Sequence, residues 1–321
     1  MTGKARVLFI GVLLILISGC TGKPVFSVEV YATTTPYELF PGSSPVAPED
    51  LVIAATTSPG PLPPVTTLPA FTLAPAALPA DFSPILYGRK YDANTFFFLL
   101  GGVQAGKWLT PEQAAALIQG TTEYDIHTAS LDMFPVLGYA PESTPIRPGQ
   151  YTIASDSTRA DPGMLGVLHG WPVRQEQVQE LSAENETYQQ VVLDWLKAAG
   201  VADPQLGPLH IYRVDLEGDG TDEIFISAAH LDDSQHTTRR GDYSIVLMRR
   251  VVGNEAVTVP LVADIYHSQQ AETTYPRTYL LSNFIDLDQD GILEVVVDYK
   301  QWEGDGAIIC TIHGQDITQV P

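Results

Sequence analysis

Residues 283–297 read NFIDLDQDGILEVVV: two apolar, β-branched runs with Asp286, Asp288, Asp290 and Glu294 packed between them. Apolar runs of this kind are built for strands. The acidic stretch must therefore be a tight turn that joins two strands while holding four carboxylates at contact range. Like charges that close repel strongly unless something offsets them. The same design stands earlier in the chain, where Asp215, Glu217, Asp219 and Glu223 separate HIYRV from IFISA.

Aligned, the two turns carry acidic residues at positions 1, 3, 5 and 9 and a glycine, Gly220 or Gly291, at position 6. Carboxylates on alternate residues of a tight loop can turn inward, and a hard cation takes six to eight oxygens. Position 7, Thr221 or Ile292, would add a backbone carbonyl. The spacing is not that of an EF-hand, whose closing Glu stands at position 12 between helices; here position 12 is Ile226 or Val297. It resembles the calcium loop of FG-GAP and VCBS repeats of integrin-like β-propellers. That resemblance covers residues 209–321 and implies two Ca2+ sites with a structural role. One would use Asp215, Glu217, Asp219, Thr221 and Glu223, the other Asp286, Asp288, Asp290, Ile292 and Glu294. Glu217 departs from the Asp or Asn usual at position 3. After each loop the chain continues as a strand and a hairpin, an internal repeat. Two such repeats are too few to close a propeller, so the expectation is two blade-like repeats in an antiparallel β-rich domain over 206–321.

The preceding segment, 85–205, reads as α+β. Thr110, Pro111 and Gln113 form an N-terminal helix signature with a capping box, and Gly120 is the expected stop. A second helix, with Ser182 as its expected cap and Gly200 as its end, places Tyr188, Val192, Trp195 and Leu196 on one face. The whole folded part is thus expected to be α+β in class. Residues 20–84 are rich in Pro, Thr, Ser and Ala, and such composition excludes helix and central strand. They read as a disordered or polyproline-like tether, which at about 3.1 Å per residue could hold a domain on the order of 100 Å from a membrane.

The first twenty residues, MTGKARVLFIGVLLILISGC, have a basic start at Lys4 and Arg6 and an apolar run from Val7 to Ile17, too short for a bilayer-spanning helix. The run ends in Ile17-Ser18-Gly19-Cys20. This resembles a bacterial lipoprotein signal. The resemblance implies removal of residues 1–19, a diacylglyceryl group on Cys20, and a chain anchored by lipid in the cell envelope, facing away from the cytoplasm. The only other cysteine, Cys310, lies in an apolar run and reads as a buried small hydrophobe.

The net charge is −21, from 38 acidic and 17 basic residues. That argues against nucleic acid as a partner, because phosphate binding needs clustered Lys and Arg. GGVQAGKW places Gly101, Gly106 and Lys107 at P-loop spacing, but Trp108 stands where a Ser or Thr would hold Mg2+. His230, Asp232, Asp233 and His236 offer transition-metal donors, although the segment also suits a polar hairpin tip. Tyr299 and Trp302 suit either core packing or an aromatic sugar platform. No recognisable catalytic motif is present. The expected task is binding of a protein or glycan. The alternative is an exported hydrolase working in a cleft between the two folded pieces.

The anchor makes a direct prediction. Cys20→Ala should accumulate as uncleaved precursor, because processing follows lipidation and two acyl chains give a stable anchor. Normal cleavage, with the chain free in the medium, would rule the lipid out.

Overall fold

The computed structural model describes residues 78–91, 94–145, 147–159, 161, 163–231, 237–268, 275–302, 304–314 and 316–320. Cys20, the signal segment, the tether up to residue 77, and Asp232, Asp233 and His236 lie outside them. The described residues belong to one unit, Leu68–Pro321.

Strands dominate. The first part contains β1 (Phe82–Tyr91), β2 (Asn94–Gln104), β3 (Lys107–Leu109), α1 (Pro111–Leu117), β4 (Thr122–His127), β5 (Met133–Gly138), β6 (Glu142–Ser143), β7 (Tyr151–Ala154) and β8 (Leu165–Leu168). Then come β9 (Arg174–Gln175), β10 (Gln179–Leu181) and α2 (Glu186–Ala198). The rest is β11 (Leu209–Val214), β12 (Glu223–His230), β13 (Tyr243–Val252), β14 (Glu255–Ile265), β15 (Thr278–Asp286), β16 (Glu294–Gln301), β17 (Gly304–His313) and β18 (Asp316–Val320). All pairing between these strands is antiparallel. The first sheet runs β5-β4-β8-β1-β2-β7-β6 with β3 beside β2, the second β10-β11-β12-β13-β14, and the third β18-β17-β16-β15-β9.

Side-chain alternation stacks these sheets. Val192 and Leu196 of α2 pack on Ile211, Ile226 and Ile245 of the second sheet. The opposite face of that sheet, with Val214, Phe225, Val246 and Met248, meets Leu281, Phe284, Val295 and Cys310 of the third. On β16 the intervening residue, Val296, points the other way and joins Ile285 and Ile309 against Ile85, Leu165 and Val167 of the first sheet. Phe97, Leu99 and Tyr124 face outward from there onto Ala114 and Ile118 of the α1 segment. The order of layers is thus α2, second sheet, third sheet, first sheet, α1. Among the described residues no helix is long and apolar enough to cross a membrane.

Several sequence expectations need adjustment. The capping box at Thr110 and Gln113 is present, but α1 stops at Leu117 rather than at Gly120. Helix α2 is capped by Asn185, whose side chain accepts from the Thr187 N–H, and Ser182 instead accepts from Glu184 in the turn before it. The expected tether ends too late, because β1 begins at Phe82 and includes Pro84. Pro84 is tolerated there because β1 pairs with β8 only at Leu86 and Tyr87, and the Ser83 hydroxyl takes the Leu168 N–H instead. Pairing also crosses the boundary expected at 205: β9 bonds to β15 and β10 to β11, while α2 covers the second sheet.

The junction of the second and third sheets centres on Phe225 and Phe284, edge-to-face at 4.9 Å between ring centroids. Phe225→Ala should cost about 3–5 kcal/mol in urea unfolding. Of this, about 0.5–1.5 kcal/mol should be lost as coupling in a double-mutant cycle with Phe284→Leu. A total loss below about 1 kcal/mol would mean that these rings do not hold the sheets together.

Candidate metal site

Both acidic turns link the first two strands of a four-strand meander, β11 to β12 and β15 to β16. Their backbones match. Positions 4 and 6 take left-handed conformations in each: Gly218 and Gly220 at φ 71° and 86°, Gln289 and Gly291 at φ 66° and 89°. Glycine adopts that region freely, whereas Gln289 carries roughly 1–2 kcal/mol of strain.

Four hydrogen bonds recur at equivalent positions. The Asp215 carboxylate accepts from the Gly218 and Gly220 N–H groups at 2.8 and 2.7 Å. Asp286 accepts from Gln289 and Gly291 at 2.7 and 3.1 Å. Asp219 and Asp290 each accept from the residue two further on, Thr221 or Ile292, at 2.7 Å. The closing glutamates, Glu223 and Glu294, accept from the Leu216 and Leu287 N–H groups at 3.2 and 2.6 Å. Position 2 is therefore a buried leucine in both turns, fixed by its own loop's glutamate.

The two turns also touch. The Leu293 N–H donates to the Leu216 carbonyl at 3.1 Å. Arg174, opposite Asp286 in the β9–β15 ladder, donates through Nη2 to the Leu216 and Gly291 carbonyls at 3.2 and 2.8 Å. The Trp171 indole donates to the Leu287 carbonyl at 3.0 Å. These partners come from a segment more than a hundred residues from the second turn, and no local pattern in the sequence marks them.

Among the described residues, one group can hold a metal: Asp286, Asp288 and Glu294, with ligand oxygens all within 4.8 Å of one another. Two oxygens sharing an ion stand at most twice the metal–oxygen distance apart. Asp286 and Glu294 are buried and Asp288 is half-buried. Asp290 falls outside the group, and its Oδ2 lies 3.5 Å from His313 Nδ1. Ile292 has its side chain half-buried, so only its backbone carbonyl is suited to a cation. The first turn brings its acids onto one loop without such a group: Asp215 is half-buried, Glu217, Asp219 and Thr221 are exposed, and Glu223 is buried.

Burial pushes the Glu294 carboxyl up to about 9, opposed by the Leu287 N–H and reinforced by the charges of Asp288, Asp290 and Asp286. Without a cation this burial favours the protonated form. Asp288 is also raised, by burial first and then by Asp290. The Trp108 indole Nε1 is buried close enough to favour the Asp288 charge but outside hydrogen-bond geometry. Glu223 is raised by burial as well. The second turn is thus a half-buried to buried acidic nest, in which a divalent cation would replace a proton and offset two of the negative charges.

The other sequence candidates stay apart from this nest. Lys107 sits on β3 after a hairpin turn at Gly106, before α1, so no phosphate loop forms. His230 stacks on Tyr243, Trp302 is exposed, and Cys310 is buried. No protein-family model matches the chain, and no curated protein or solved structure matches it.

Arg174 supplies the prediction. Arg174→Met should cost about 1–3 kcal/mol, because two carbonyls lose a charged donor. It should also speed amide hydrogen exchange in both turns. Exchange changed in one turn alone would show that the bridge does not couple them.

Proposed function

We propose that this chain is a lipid-anchored protein of the bacterial cell envelope whose β-rich body binds Ca2+ at the 286–294 turn and acts by binding a protein or glycan. The observation that carries the metal reading is the convergence of Asp286, Asp288 and Glu294 within 4.8 Å. Calcium–oxygen distances of about 2.3–2.6 Å allow ligands up to about 5 Å apart, which this group meets, and Mg2+ demands a stricter octahedron at about 2.0–2.1 Å and gives up its waters reluctantly. Asp290 and the Ile292 carbonyl would complete the shell. The 215–223 turn, with the same backbone and Glu217 in place of a shorter acid, is the weaker second site. In this reading the meanders β11–β14 and β15–β18 are two blade-like repeats, each lengthened by a short strand from 174–181, and the part before them is the α+β piece. The anchor rests on the signal at Cys20.

One observation favours the exported hydrolase instead: a half-buried carboxylate, Asp298, lies in a cleft between the first and third sheets. Glycoside hydrolysis by paired carboxylates calls for a second, unengaged acid, and the neighbouring Asp305 is ion-paired to Arg89 at 2.5 Å. Binding remains the better reading.

Calorimetric titration of the chelator-treated full chain with millimolar CaCl2 should show heat, and Ca2+ should raise the melting temperature. A hundredfold excess over Kd stabilises by about 2.7 kcal/mol. Glu294→Gln, which keeps an acceptor for the Leu287 N–H, should remove most of that gain, and MgCl2 should reproduce little of it. No heat, with superimposable melts in EDTA and Ca2+, would overturn the calcium reading.

A further inference from the structure

The interface between the first and third sheets changes character along its length. On β16, Val296, Asp298 and Lys300 share one face, and on β1, Ile85, Tyr87 and Arg89 do. The apolar members pack together. Beyond them the sheets part around the polar members, leaving a cleft of about 460 Å3. That volume is within the range of small-molecule sites, about 300–1,000 Å3.

The polar groups of the cleft are held by one another. The Ser282 hydroxyl donates to Asp298 Oδ1 at 2.7 Å, and the Tyr87 hydroxyl lies against the same carboxyl. Burial pushes Asp298 up to about 6, opposed by Ser282, Tyr87 and Lys300 and reinforced by Asp305. Lys300 stands directly across from Asp305 in the β16–β17 ladder. Arg89 Nε pairs with Asp305, and its guanidinium lies over the Phe98 ring at 5.9 Å. Gly304 makes room for it: a Cβ there would sit 2.9 Å from Arg89 Nη1, at a φ of 146° that side chains rarely adopt.

The charges of the cleft select its ligand. Both signs are fixed within it, so an ionised ligand of either sign meets a like charge. A hydroxyl both donates and accepts, and suits a wall that offers carboxylates, cations and the Ser282 and Tyr87 hydroxyls together. Tyr212, half-buried, lines the cleft and adds a flat apolar surface. We propose that this cleft is the binding site of a neutral saccharide, with Asp298, Ser282 and Arg89 hydrogen-bonding its hydroxyls. The assignment rests on the reading of the chain as a binding protein and is independent of the calcium turn.

The test uses the full chain in a detergent without a sugar headgroup, titrated by calorimetry and saturation-transfer NMR with maltose, cellobiose, lactose and diacetylchitobiose. Galacturonate and butylamine serve as charged probes. At least one neutral sugar should bind. Asp298→Ala and Arg89→Ala should each weaken it at least tenfold, and Ser282→Ala should do so severalfold. The milder Asp298→Asn and Ser282→Ala keep the test open if a larger change prevents folding. No binding by any neutral sugar, binding indifferent to these substitutions, or preference for a charged probe would each overturn the proposal. Repeating the titration in EDTA and in Ca2+ separates the two readings: sugar binding with no calcium response defeats only the calcium site, and the converse defeats only the cleft.

Discussion

The third sheet is buried on both faces, and the rest of the architecture follows from that. Its strands send one set of side chains to the second sheet and the alternate set to the first. A strand of this kind must be apolar at successive positions, and VVV at 295–297 is such a run. The outer sheets then need one buried face against it, and each covers its other face with helical residues. Without the doubly buried layer the two halves of the chain would have no common core.

The same burial explains why two acidic residues of β16 behave unusually. Glu294 and Asp298 project from one face with Val296 between them, and burial raises both carboxyls. They sit on either side of Val296 and are accommodated differently. Glu294 meets a backbone N–H and other carboxylates, an environment that favours a proton or a cation. Asp298 meets a serine, a tyrosine and a lysine, an environment suited to neutral hydroxyls. One alternation pattern thus places two chemically distinct polar sites on a single strand.

Much of this was legible in the sequence. Long strands announced themselves by their apolar runs, and the Thr110–Gln113 box marked α1, because those signals are local. The acidic turns were legible for the same reason, since nine consecutive residues carry their own hydrogen-bond pattern. Short strands β9 and β10 were not, because two or three residues show no period. They are also what joins 174–181 to the later sheets across the boundary expected at 205. Asn185 displaced Ser182 as the cap of α2 through a choice between neighbouring polar residues that only the backbone decides. A cleft between the folded pieces is expected as an alternative, but its residues are not legible, because Arg89 and Asp298 lie far apart in sequence and meet only when the sheets stack. Arg174 is hidden on the same ground, since its carbonyl partners lie 42 and 117 residues away.

The paired turns show how repetition and stacking combine. Leu216 and Leu287 hold equivalent positions, and each gives its N–H to the closing glutamate of its own loop. Their carbonyls differ in partner. Leu287 accepts from Trp171, whereas Leu216 accepts from Leu293 of the other turn and from Arg174. The peptide at 216 is therefore bonded to Glu223 on one side and to the second turn on the other. Stacking of the two sheets brings the turns side by side, through the Leu293 N–H on the Leu216 carbonyl, which would ordinarily compound their negative charge. Arg174 lies between them, bonded to a carbonyl of each, and supplies a fixed positive charge where two acidic loops would otherwise face each other. A cation seated in the 286–294 turn would act in the same direction. Through Gly291 and Leu293 it would bear on the backbone that positions Glu223, so any effect of metal on the second turn should extend to the first.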